Sequence, residues 1–78
     1  MENEKLELEE GEIVLKYKIE IWRFHIIIDT FKSNDINEIL KWYREKYQYM
    51  YDMGECAFYV YIGNKELGFD EKEKLGFF

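Results

Sequence analysis

The sequence predicts an α+β domain: a small antiparallel β-sheet of three to four strands, opening with a hairpin, and one α-helix over about 34–53 packed on one face, in the order β-β-α-β-(β). Three observations predict it. Apolar and charged residues alternate through "KLELEEGEIVLKYKIEI" (5–21), the period of a strand with one buried face. Apolar residues recur at helical spacing from Ile36 to Tyr51. "CAFYVYIG" (56–63) then returns to alternation, in β-branched and aromatic residues.

The first hairpin turns at Glu10-Gly11. That turn sets Leu8 opposite Ile13 and Leu6 opposite Leu15, all on one face. The alternation then slips: Leu15, Tyr17, Ile19 and Ile21 are odd-numbered, whereas Trp22, Phe24, Ile26 and Ile28 are even-numbered. A slip of one residue changes the face, so a bulge or bend is expected near Ile21-Trp22. A straight strand over 13–29 would also measure ~55 Å at ~3.3 Å per residue, too long for so small a domain. One bent strand or two successive ones remain open. "FHIIID" (24–29), apolar on both faces, is expected at the centre of the sheet.

Ser33 or Asp35 caps the helix that follows, and Asp35 with Glu38 has capping-box spacing. Gly54 ends it. In the next strand Cys56, Phe58, Val60 and Ile62 share one face, with Ala57, Tyr59 and Tyr61 on the other. "GNKE" (63–66) is a turn, and "LGF" (67–69) is expected as a short returning edge strand. Residues 70–78 carry a weakly helical charged stretch and then Phe77 and Phe78. They are expected as a flexible or edge-covering tail of a single domain, 1–78.

Composition bounds the function. A domain of this size buries only about 60% of its unfolded surface, but 47% hydrophobic and 19% aromatic residues supply a rich core. A single cysteine, Cys56, excludes an internal disulfide. No run is long enough to span a membrane, and the acidic opening "MENEKLELEEGE" is unlike a signal peptide. A cytoplasmic protein with no membrane contact is expected. One serine, one threonine and one glutamine against abundant Lys and Glu is the composition of a thermophile or its virus, and an AT-rich genome gives a similar bias.

The net charge is −6, and residues 1–12 hold six glutamates against Lys5. An acidic balance argues against nucleic acid as a partner, because phosphate contact needs a basic footprint. It suits a protein with a basic surface, for which Glu9, Glu10 and Glu12 are candidate contacts. A solvated acidic end that only aids solubility is the plainer reading.

On the helix, Ile36, Ile39, Leu40, Tyr43, Tyr47, Met50 and Tyr51 fall in a stripe about 120° wide at ~100° per residue, which is core geometry. Trp42, Tyr49 and Met53 form a second stripe roughly 100° away. They are read as a self-association patch of a homodimer lying away from the sheet. A wide core, or Leu75–Phe78 folded over the stripe, is the structural alternative. Tyr59 and Tyr61 are expected on the open face with Lys16, Lys18 and Glu20, where tyrosine tolerates water.

Catalytic chemistry is sparse. Ser33 is needed as a cap, Cys56 falls on a core face, and His25 lies in an apolar strand beside Arg23. No phosphate loop, CxxC pair or calcium-loop spacing occurs, so no cofactor, no metal and no enzymatic activity are expected. The expected function is that of a small acidic protein-interaction module that binds the basic, nucleic-acid-binding surface of a host protein, as virus- or mobile-element-encoded inhibitors do. The alternative is a single-stranded nucleic-acid-binding module using the sheet tyrosines.

Overall fold

The computed structural model describes residues 15–78. The Glu10-Gly11 hairpin, with Glu9, Glu10 and Glu12, lies outside the described residues. Strand β1 (Tyr17–Arg23) turns into β2 (Ile26–Ser33). Helices α1 (Ile36–Lys46) and α2 (Gln48–Asp52) follow, then β3 (Ala57–Ile62), β4 (Lys65–Glu66) and helix α3 (Phe69–Leu75). The strands form one antiparallel sheet in the order β2-β1-β3-β4. The α+β class and the strand–strand–helix–strand order are as the periodicity predicts.

The chain reverses at Phe24-His25, between Arg23 and its partner Ile26. Both turn residues have positive φ, 54° and 69°. That is the conformation of a two-residue hairpin turn whose twist matches the flanking strands. The pairing of β1 with β2 shifts between Ile21 and Trp22, where a bulge is expected from the slip in alternation. The expected central place of "FHIIID" is wrong, however. Its end belongs to β2, which is the outer strand among the described residues, and Ile26, Ile27 and Ile28 are exposed. The two central strands are β1 and β3, whose inward residues Ile19, Ile21, Phe58 and Val60 are buried.

Ser33 and Asp35 share the work of starting α1. The Asp35 carboxylate accepts from the Asn37 N–H at 2.9 Å. The Ser33 hydroxyl accepts from the Asp35 N–H at 3.0 Å and donates to Glu38 Oε1 at 2.6 Å. The single expected helix is two. Tyr47 leaves helical dihedrals, at φ −130° and ψ −13°, while its hydroxyl is anchored to β2 by donating to Asp29 Oδ2 at 2.6 Å. At the end of α2, Gly54 (φ 77°) donates to the Tyr51 carbonyl and Glu55 to the Met50 carbonyl, the paired closure that a C-terminal glycine allows.

The returning edge strand falls at Lys65–Glu66 rather than at 67–69, because the Gly63-Asn64 turn takes only two residues and pairs Ile62 with Lys65. Leu67 then drops into the core. The C-terminal stretch is no loose tail. Helix α3 closes at Gly76 (φ 102°), and Phe77 is only 2% exposed. Its ring lies 5.7 Å from both Tyr43 and Phe58. Ile39, Tyr43, Leu67 and Phe77 complete the core over the inward face of β1 and β3.

Candidate interaction surfaces

Among the described residues, two surfaces concentrate solvent-facing aromatic and charged side chains. The first is the sheet face away from the helices. Alternation along β1 turns Lys18, Glu20 and Trp22 outward, and pairing sets them beside Tyr61, Tyr59 and Ala57 of β3. Tyr59 and Tyr61 therefore stand where the alternation predicts, half-buried on the open face. The Trp22 and Tyr59 rings meet edge to face, 6.0 Å apart and 87° between planes.

Glu20 organises this face. Its Oε1 accepts from Trp22 Nε1 at 3.0 Å and from the Tyr61 hydroxyl at 3.3 Å, and its Oε2 pairs with Lys18 at 3.1 Å. Partial burial alone would raise the Glu20 carboxyl, but the hydrogen bonds from Trp22 and Lys18 outweigh it and hold the group below the usual carboxylate range. Burial and the Glu20 charge push the Tyr61 hydroxyl up. At neutral pH the face thus holds a fixed anion, Glu20, beside the neutral Tyr61 phenol. The Lys18 ammonium sits 4.7 Å from the Tyr61 ring centroid, and Lys72 from α3 lies 6.0 Å from that of Tyr59. A depression of about 360 Å³ opens between Trp22, His25, Tyr59, Tyr61 and Glu66.

The second surface is the end of the molecule that carries the β1–β2 turn. Phe24 is 80% exposed and Ile26 61%, with Ile27 and Ile28 also in solvent. Arg23 stacks on Phe24, 5.0 Å from its ring centroid. A groove of about 480 Å³ runs beside the turn, between Trp22 and Phe24 on one side and Gly54, Glu55 and Cys56 on the other. Burial pushes the Cys56 thiol up, so it stays protonated and weakly nucleophilic.

No family model, no curated protein and no solved structure matches this chain. The surfaces themselves therefore carry the functional reading.

The second helical stripe does not survive as one surface. Trp42 lies against the sheet, stacked on Phe31 of β2 at 5.1 Å and 9° between planes, with Tyr47 5.2 Å away on another side. The expectation that it points away from the sheet is wrong, because Phe31 on the outer strand extends the core beneath it. Tyr49 and Met53 are exposed, 73% and 57%. Trp22 and the Phe24 turn are the surface residues that periodicity missed. The turn gives no sequence signal, because it uses Phe-His where such turns normally use Asn-Gly. Among the described residues, no group of three or more His, Cys, Asp or Glu side chains converges as a metal site would require. No described helix is long and apolar enough to cross a membrane.

Proposed function

We propose that the protein is a non-enzymatic interaction module whose open sheet face receives a basic segment of another protein. The observation that carries the reading is Lys18. Its ammonium lies over the Tyr61 ring while paired to Glu20, so the face already holds one cation in the way it would hold a partner's. The neighbouring walls, Trp22 and Tyr59, offer the same chemistry to an incoming lysine or arginine, with Glu66 at the rim. Arginine is the better match, because its planar guanidinium stacks on aromatic faces. The glutamates Glu9, Glu10 and Glu12 add long-range attraction and speed encounter. A basic, nucleic-acid-binding surface of a host protein has this chemistry, and covering it would inhibit that protein.

Self-association through Trp42, Tyr49 and Met53 does not fit this picture, since Trp42 is held by Phe31. The same sheet face also supports a second reading. Trp22, Tyr59 and Tyr61 with Lys18 and its cross-strand neighbour Lys32 resemble a platform for stacked bases. The Glu20 carboxylate in their midst opposes it, because it repels phosphate.

Fluorescence polarisation with a labelled Arg/Lys-rich peptide and with labelled single-stranded oligonucleotides separates the readings. The expected result is peptide binding that is lost in Tyr59→Ala with Tyr61→Ala, and no oligonucleotide binding. Oligonucleotide binding that weakens steeply with salt would replace the first reading by the second.

A further inference from the structure

We propose that the Phe24 turn is a self-recognition element: Phe24 of one copy enters the groove beside the turn of a second copy, and the two copies pair about a two-fold axis. Strain, exposure and charge carry this independently of the sheet-face reading.

Phe24 and His25 both occupy the left-handed region, at φ 54° and 69°. Side chains with a Cβ adopt it only at a steric cost, and bulky ones rarely do. A turn selected for stability alone would use Asn-Gly. Here the strain holds a phenylalanine with four-fifths of its surface in water. Isolated exposed apolar residues are ordinary, but this one leads a run with Ile26, Ile27 and Ile28.

A second copy is the occupant that fits. Knob and groove adjoin on one surface, since Phe24 stands on the rim of the groove walled by Trp22 and Cys56. An isologous contact needs such a pairing, in which each copy both inserts and receives. The groove, about 480 Å³, has room for one phenyl ring with its flanking backbone. Its two sides carry opposite charge, Arg23 on the turn and Glu55 on the loop before β3. A two-fold arrangement brings Arg23 of each copy to Glu55 of the other, so the contact is charge-complementary twice over.

Among the described residues β2 ends the sheet; pairing through that edge is the competing geometry, and the strand guards against it. Its register shifts at the bulge, and the Thr30 N–H is taken up by the Asp29 carboxylate at 2.9 Å. Bulges and charged groups on an edge are how sheets avoid edge-to-edge addition. Because Trp22 and Tyr59 wall both depressions, a second copy and a basic segment would compete for this end of the sheet.

Sedimentation of the protein alone, with no partner present, tests the proposal separately from the sheet-face reading. The wild type is expected to form a reversible dimer in the high-micromolar range, and Phe24→Glu to sediment as a folded monomer. Phe24→Asn with His25→Gly is the sharper variant. It relieves the turn, so its melting temperature should rise at concentrations where the wild type is monomeric, while the dimer is lost. Alkylation of Cys56 should slow with concentration in the wild type and not in either variant. A wild type that stays monomeric, or a dimer that survives both variants, overturns the proposal. So does a dimer lost only with Tyr49→Glu, which would place the contact on α2.

Discussion

The Trp42 indole lies nearly parallel to the Phe31 ring, their centroids 5.1 Å apart, and this stack fastens α1 to the outer strand of the sheet. Beyond Phe31, α1 finds Ile19 and Ile21 on β1, so the helix spans the seam of the two strands. Replacing Trp42 by glutamate should therefore cost about 2 kcal/mol of stability, the scale of a partly buried aromatic. Tyr49→Glu, on the exposed side of α2, should change stability by less than about 0.5 kcal/mol. Urea denaturation of the two variants decides this. Equal effects would mean that the stack contributes nothing.

Tyr43 is fully buried, and its hydroxyl has no hydrogen-bond partner among the described residues. Its ring packs between Tyr51, Phe58 and Phe77. Burial, with the charge of Asp52 beside it, raises the ionisation of this hydroxyl far above the ordinary value. A buried polar group without a partner costs stability, so Tyr43→Phe should be neutral or about 1 kcal/mol more stable. Tyr43→Ala should cost about 3–5 kcal/mol through the cavity it leaves. Destabilisation by Tyr43→Phe would reveal a partner for the hydroxyl, such as a bound water.

Alkaline titration reports on the link between β2 and the end of α1. The hydrogen bond to Asp29, reinforced by burial, pushes the Tyr47 hydroxyl from its ordinary value of 10.0 up to about 12. The folded state thus keeps a proton that the unfolded chain gives up first. The resulting stability is complete below about pH 10 and is lost as pH rises through about 12. Chemical denaturation across that window should show the decline, and Tyr47→Phe should make it shallower. An unchanged slope in the variant would assign the decline to other groups.

At the C-terminus, Gly76 has φ 102°, and a Cβ built there would approach Leu40 Cδ2 to 3.3 Å. Its carbonyl also accepts from Arg44 Nη2 at 2.7 Å. Gly76→Ala should cost roughly 1–2 kcal/mol from the dihedral alone. Phe77→Ala, which empties a buried site between Tyr43 and Phe58, should cost about 3–5 kcal/mol. Thermal unfolding followed by circular dichroism measures both. A neutral Phe77→Ala would show that α3 does not close the core.

What was legible in the sequence follows from what local periodicity encodes. Ile19, Ile21, Phe58 and Val60 alternate with the outward Lys18, Glu20, Tyr59 and Tyr61, so both faces are legible directly from the sequence. Asp35 and Gly54 are capping residues with a local mechanism, and they act where they are expected. Strand order is a different kind of information. "FHIIID" is apolar on both sides, which reads as a central strand. The strained Phe24-His25 reversal instead makes it the outer strand among the described residues, and no residue preference announces that reversal. Helical angle alone sets Trp42 on a separate stripe, because it cannot say how far the sheet extends under a helix, and Phe31 supplies the extra width. Phe77 was hidden by its charged surroundings, "DEKEKLGFF", which read as a tail until the turn at Gly76 folds the ring back.

We propose that the open sheet face takes the cationic side chains of a basic protein segment. The most direct measurement is a titration of isotopically labelled protein with an arginine- and lysine-rich peptide, followed amide by amide by NMR. Shifts are expected to concentrate at Lys18 to Trp22 of β1, Tyr59 to Tyr61 of β3 and Glu66, and to be lost in Tyr59→Ala with Tyr61→Ala. Shifts centred on the outer side of α1, or none at any peptide concentration, would contradict it.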